Sequence, residues 1–350
     1  MRKTGIVLSA LSALMFLTLT SAPMHADSDD SLVPTQAVKE PITVTVPITT
    51  IRPPGTGGSN GIVEIVVGRS TPLKVMVDTG SVGLRLWSGS HPSMNISTKR
   101  ITTTTGGSTI PGFIGAAPMS LNGVSTTLDV PFQYINTSNP YIDQWKRAGV
   151  AGILGIGVGT GDLTNPLVAL PGDLGLHWSV HFADLASSST KPGALILGAL
   201  APTNANMFFQ LPSAGSNVNG ALLWDDHAAN GCWKFGTQRE VCVPTWFDSG
   251  FTVMRVKGRD FSRLPTTGAN QLRSGTRVTL SVPSSSFVGD SFVAGSTASK
   301  NLVRVLDSGK ATINTGNSVY FEYTVTYNVA TGGLYLYKPA PKKPASEKKG

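Results

Sequence analysis

Two acidic turns carry the residue types from which chemistry could be built. In Val75-Met76-Val77-Asp78-Thr79-Gly80-Ser81 a run of β-formers ends in one carboxylate, then breaks at a small hydroxyl residue and a glycine. The acid is thereby carried out of a buried strand into a tight turn. A charge delivered from an apolar strand costs free energy unless hydrogen bonds or a partner compensate, and such surroundings shift a carboxyl pKa. The chemistry open to that group is proton transfer. For a single copy, an ordinary Asp-Gly turn explains the residues as well. A second copy argues against it: Thr245-Trp246-Phe247-Asp248-Ser249-Gly250 repeats apolar residues, Asp, small hydroxyl and Gly well over a hundred residues later. A third triplet, Asp307-Ser308-Gly309, competes with Asp248, but Lys310 follows it directly.

The segments that must position these acids read as short strands. Ile42 to Ile48 alternates, a Pro/Gly/Ser cluster from Pro53 to Asn60 follows, and Gly61 to Val67 is again β-forming. Gly83-Leu84-Arg85-Leu86-Trp87 places Arg85 and Trp87 on one face. Ile101 and Thr102 to Thr105, with Gly106 and Gly107, form an arm and the tip of a hairpin, and Val130 to Ile135 is a further strand. Almost no stretch has an apolar period of 3.6, so the fold class is all-β. Ala151-Gly152-Ile153-Leu154-Gly155-Ile156-Gly157 has a phosphate loop as its rival reading, but no helix or Lys-hydroxyl pair follows. Glycines that let two backbones approach closely are the better account. Ile313 to Phe321, around Gly316, stands in the second half where Ile153-Leu154-Gly155 stands in the first, at a similar distance from its acid. The chain therefore reads as an internal duplication. Asp307 lies too close to Gly316 to leave room for the strands that the first half places in between.

Length and composition bound the rest. A chain of 350 residues suits two domains better than one. Arg2 and Lys3, the apolar Ile6 to Leu19 run and Met24-His25-Ala26 have the pattern of a cleaved export signal over residues 1–26. The run is shorter than the roughly 20 residues of a spanning helix. Residues 27–41 read as a linker or short pro-segment. The protein is then expected to be secreted, periplasmic or on the cell surface. Formal net charge is +8, but Arg2 and Lys3 belong to the leader and five lysines against Glu347 to residues 338–350. The body is nearly neutral, which argues against nucleic acid as a partner; the basic tail is expected to be disordered, with surface association its one open role. Cys232 and Cys242 are the two cysteines; in an exported protein they read as a disulfide contributing roughly 2–4 kcal/mol. A metal site fails for lack of ligands, since His177 and His181 have no acidic or sulfur residue beside them. No cofactor is expected, and nothing argues for an oligomer.

The ordered set Asp78-Thr79-Gly80-Ser81, Gly152 to Gly157, Gly193 to Gly198, Asp248-Ser249-Gly250 and Val325 to Leu336 resembles the pepsin-like aspartic proteases, in particular an exported bacterial member. The match spans nearly the whole mature chain. The resemblance implies a bilobal fold with lobes at 42–200 and 201–337, meeting near Ala201 to Asn206, and a cleft between them. It implies that Asp78 and Asp248 are catalytic, that the hydroxyls of Thr79 and Ser249 cross-link the turns, and that Ser81 bonds Asp78. Thr105, Gly106 and Gly107 would form the tip of a flap over the cleft. The implied activity is hydrolysis of peptide bonds in protein or peptide substrates, with an acidic optimum. Two carboxyls about 3 Å apart share one proton, so the ionised one can activate water while the other protonates the scissile carbonyl, as in the aspartic-protease dyad, a standard worked case. Three positions depart from the family: Arg85 where a tryptophan is common, a flap tip without tyrosine, and Phe251 where a hydroxyl residue is expected beside Asp248. A catalytically weak or inactive peptide-binding surface module is the alternative, and a β-rich adhesion protein a more distant one.

Overall fold

The strand that delivers the first acid, Leu73–Asp78, lies parallel to Gly152–Ile156, with Gly155 in register with Asp78. Gly152–Ile156 runs antiparallel to Val82–Trp87, and that strand runs parallel to Val130–Ile135. The second acid is delivered in the same way. Val241–Trp246 lies parallel to Thr312–Asn314, which runs antiparallel to Met254–Lys257, itself parallel to Val303–Leu306. The repeat read in the sequence is thus a repeat of strand topology. Asp307 follows the edge strand Val303–Leu306 of this arrangement, exposed and separated from the Asp248 strand by two others.

The computed structural model describes residues 42–53, 58–89, 96–105, 108–183, 192–200, 205–283, 291–295 and 301–338. The expected leader (1–26), the expected linker (27–41), the tail beyond Lys338, Gly106 and Gly107 of the expected flap tip, and residues 201–204 of the expected lobe boundary lie outside the described residues. Strands pair into a fifteen-stranded and a seven-stranded sheet, with one separate two-stranded pair, as the all-β reading requires. The closing strands Thr324–Asn328 and Gly333–Tyr337 pair with each other, and Thr324–Asn328 also pairs with His177–His181. These two strands are therefore hydrogen-bonded into the sheet begun by the first half.

Side-chain alternation divides the core. Leu84 and Leu86 point into the larger apolar cluster, while Trp87 on the opposite face joins Met76, Ile153 and Trp145. Glycines of the Gly152–Ile156 strand serve close backbone approach: a Cβ at Gly155 would stand 2.6 Å from the Gly83 carbonyl oxygen, and one at Gly152 would overlap that of Arg85. Cys232 and Cys242 are bonded to each other, directly opposite on the paired strands Ala229–Phe235 and Val241–Trp246.

Among the described residues, two α-helices interrupt the expected succession of strands. Pro140–Arg147 begins at Asn139, whose side chain accepts the Tyr141 amide at 2.9 Å, with proline at the first helical position. Ser318–Glu322 follows the Thr312–Asn314 strand, so the segment from Ile313 to Phe321 is part strand and part helix. Among the described residues no helix is long and apolar enough to cross a membrane.

Candidate active site

Each acid is held by its own turn. Asp78 accepts the Gly80 amide on Oδ1 at 2.8 Å and the Ser81 hydroxyl on Oδ2 at 2.6 Å. Asp248 accepts the Gly250 and Phe251 amides on Oδ1 at 3.0 and 3.1 Å. Both side chains are nearly buried, Asp78 at 7% and Asp248 at 6% exposure. A Cβ built on Gly80 would overlap the Asp248 carboxyl, and one on Gly250 would overlap that of Asp78. The two carboxyls therefore meet across the turns, each against the other turn's glycine.

Thr79 and Ser249 lie beneath them, both almost fully buried. The Thr79 amide donates to Ser249 Oγ at 3.0 Å, and the Ser249 amide donates to Thr79 Oγ1 at 2.9 Å. Each hydroxyl then donates onward, Thr79 to the Phe247 carbonyl and Ser249 to the Val77 carbonyl, both at 2.9 Å. Tyr320 stands 2.7 Å from Thr79 Oγ1 and 2.7 Å from the Tyr327 hydroxyl. Burial raises the pKa of both phenols, so they serve as neutral hydrogen-bonding groups. Asn60 ties the second turn to a first-half strand, donating to the Gly250 carbonyl at 2.8 Å. Asn317 donates to Asn60 Oδ1 at 3.0 Å and, through its amide N–H, to the Phe251 carbonyl at 2.8 Å.

Electrostatics act strongly on the second acid. Burial, and after it the charge of Asp78, pushes the Asp248 pKa up; hydrogen bonds from Asn314, Gly250 and Phe251 oppose the shift without cancelling it. Behind Asp78 stands the guanidinium of Arg85, only 6% exposed. It donates to Ser81 Oγ at 3.2 Å, to the Gly83 carbonyl at 3.2 Å and to Thr103 Oγ1 at 3.3 Å. Since Ser81 Oγ accepts from Arg85, its own hydrogen is directed to Asp78. Thr103 donates to Gln133 Oε1 at 2.6 Å, which connects the hairpin strand Ile96–Thr105 to this network.

The acids open into a cleft of about 510 Å³, with Tyr141 and Trp145 on one side and Trp246, Phe251, Arg255 and Asn314 on the other. Thr104 also lines it, so the hairpin arm reaches the cleft; Thr105 pairs with Ser108 at the end of the arms. Tyr141 and Trp145 escaped the sequence reading because a single short helix leaves a weak period. The signal that marks it is Asn139-Pro140, a capping residue followed by a proline. Asn314 escaped as well: it donates to Asp248 Oδ2 at 2.7 Å, yet in sequence it reads as a turn residue beside Gly316.

His177 and His181 lie on a strand, and His181 Nδ1 approaches the Tyr323 carbonyl at 3.4 Å. Among the described residues one metal-compatible grouping occurs, Cys232, Glu240 and Cys242, and its two sulfurs are bonded to each other.

No protein-family model and no curated protein matches the sequence. Solved structures share its fold. The crystal structure of an aspartic proteinase from Irpex lacteus matches with a TM-score of 0.59, covering 85% of this chain and 98% of that one at 17% sequence identity. The chain thus has an all-β, bilobal pepsin-like fold.

Proposed function

We propose that the chain is an exported aspartic endopeptidase that hydrolyses peptide bonds with a water activated between Asp78 and Asp248. One observation carries the reading: two nearly buried carboxyls from equivalent turns face each other at the floor of a cleft. Such a pair holds one proton between two acids. The ionised carboxylate takes a proton from the water as its oxygen bonds to the scissile carbonyl carbon, and the protonated carboxyl donates to the carbonyl oxygen. Collapse of the resulting diol breaks the C–N bond: the amine leaves with the proton the carboxylate first took, and a diol hydroxyl returns a proton to the other acid, which restores the singly protonated pair. Cross-linking of the turns through Thr79 and Ser249 keeps the carboxyls in place through this cycle.

The substrate is an extended protein or peptide segment lying in the cleft between lobes at 42–200 and 201–337. The hairpin carrying Thr105, Gly106 and Gly107 serves as the flap. Residues 1–26 direct export and 27–41 form the linker or pro-segment, which puts the enzyme outside the cytoplasm as a monomer. An optimum in the acidic range belongs to this reading; burial, and after it the charge of Asp78, pushes the Asp248 pKa up to about 8, so that carboxyl keeps its proton throughout that range.

Digestion of casein or a peptide at pH 3 to 6, with and without a statine-type inhibitor, tests the reading on wild type, Asp78→Asn and Asp248→Asn. Inhibitable cleavage lost in both variants is expected. Activity retained in both variants would sink the assignment of the pair, and inhibitor binding without cleavage would point to a peptide-binding module instead.

A further inference from the structure

The two turns are not equivalent in one respect. Three residues after Asp78 stands Ser81, whose hydroxyl bonds Asp78 Oδ2 at 2.6 Å. Three residues after Asp248 stands Phe251, which offers only its backbone amide, and that amide goes to Oδ1. The outer oxygen of Asp248 nevertheless has a donor. Asn314, on the parallel neighbouring strand and in register with Trp246, brings Nδ2 to 2.7 Å from Asp248 Oδ2. Its orientation is determined by its other end, because Asn314 Oδ1 accepts the Gly316 amide at 2.8 Å, which leaves only the NH₂ group to face the acid.

We propose that Asn314 is the positioning residue of Asp248, supplying from a neighbouring strand the hydrogen bond that the second turn lacks. The inference rests on the pairing of Asp78 with Asp248 described above. The exchange has a chemical consequence. A serine hydroxyl can donate or accept, whereas an amide NH₂ only donates, so Asn314 consistently favours the form of Asp248 with a lone pair on Oδ2. The ring of Phe251, which offers the acid no donor, stacks under Arg255, whose guanidinium lies 4.6 Å from the ring centroid. Arg255 is directly opposite Asn314 across the antiparallel pair. The other titratable groups facing Asp248 are Asp78 from the first turn, Tyr141 from the Pro140–Arg147 helix, and Tyr320 and Tyr327 beneath. None of these replaces the lost donor.

The test is a carboxyl ¹³C NMR titration of Asp248, assigned with Asp248→Asn, in wild type and Asn314→Leu. Removing the donor should raise the Asp248 pKa by about one pH unit, since a hydrogen bond to the charged form is lost. Moving the donor back into the turn, in Asn314→Leu with Phe251→Ser, should return it toward the wild-type value. An unchanged titration in Asn314→Leu overturns the proposal, even in an active enzyme. The raised pKa supports it even in a chain that cleaves nothing, so the proposal and the proposed activity fail separately. In an active enzyme kcat should fall about tenfold or more with KM little changed; an unaltered kcat with a lowered melting temperature would reduce Asn314 to a structural role and overturn the proposal. If leucine disturbs the sheet by circular dichroism, Asn314→Ala carries the same titration.

Discussion

The backbone amide of Thr79 donates to the hydroxyl of Ser249, and the amide of Ser249 donates to the hydroxyl of Thr79. The residues are 170 positions apart, so this exchange joins the two halves directly beneath the acids. Thr79→Val or Ser249→Ala leaves a buried amide without its acceptor, a loss of about 1–3 kcal/mol. The double variant should cost less than the sum of the singles, because both bonds belong to one exchange. Urea denaturation of the four proteins gives the coupling energy, and strict additivity would show that the two residues act independently.

A methyl group on Gly80 has nowhere to go except into the Asp248 carboxyl. Gly80→Ala should fold with a cost of about 1–3 kcal/mol for overpacking, and should lose most activity because the carboxyls are forced apart. Gly250→Ala should behave alike through Asp78. Near-wild-type turnover in either would contradict the close approach of the pair.

Arg85 should act through Ser81. Arg85→Met removes the cation nearest Asp78 and leaves Ser81 and Thr103 each short of a donor, at about 1–3 kcal/mol for the unpaired groups. Without that donor the Ser81 hydroxyl is no longer fixed toward Asp78, so kcat should fall several-fold with KM little changed. A kcat equal to the wild type, with only stability lowered, would make Arg85 a purely structural residue.

A further acid, partly buried, sets a pH dependence of its own. Asp226 accepts backbone hydrogen bonds from Val158 and Gly159, and burial, followed by the charge of Asp225, raises its pKa from the ordinary 3.8 to about 7. Below pH 4 the folded and unfolded chains both hold the proton. Between pH 4 and 7 the unfolded chain releases it first, so the contribution of Asp226 to stability is lost as pH rises. Asp248, also raised, has the same sign. In Asp226→Asn the stability difference from wild type should move in the variant's favour from pH 4 to 7, measured by urea denaturation at each pH. A difference independent of pH would disprove the shift.

Local chemistry is what sequence alone determined here. Asp78 at the end of Val75 to Val77, the alternation of Val82–Trp87, the close-approach glycines at Gly152 and Gly155, and the Cys232–Cys242 pair all follow from near neighbours. Backbone propensity and side-chain alternation act over a few residues, and these features express nothing longer. Tertiary structure decided what faces what. It set Asp307 at a sheet edge and Asp248 in the cleft by strand order, and it placed Asn314 against an acid 66 residues earlier. It also brought Tyr141 and Trp145 into the same cleft on a helix too short to announce itself. Strand register fixes such partners, and register is a property of the assembled sheet. That is why a residue such as Asn314, unremarked in its own strand, acquires its role only when the Asp248 strand lies beside it.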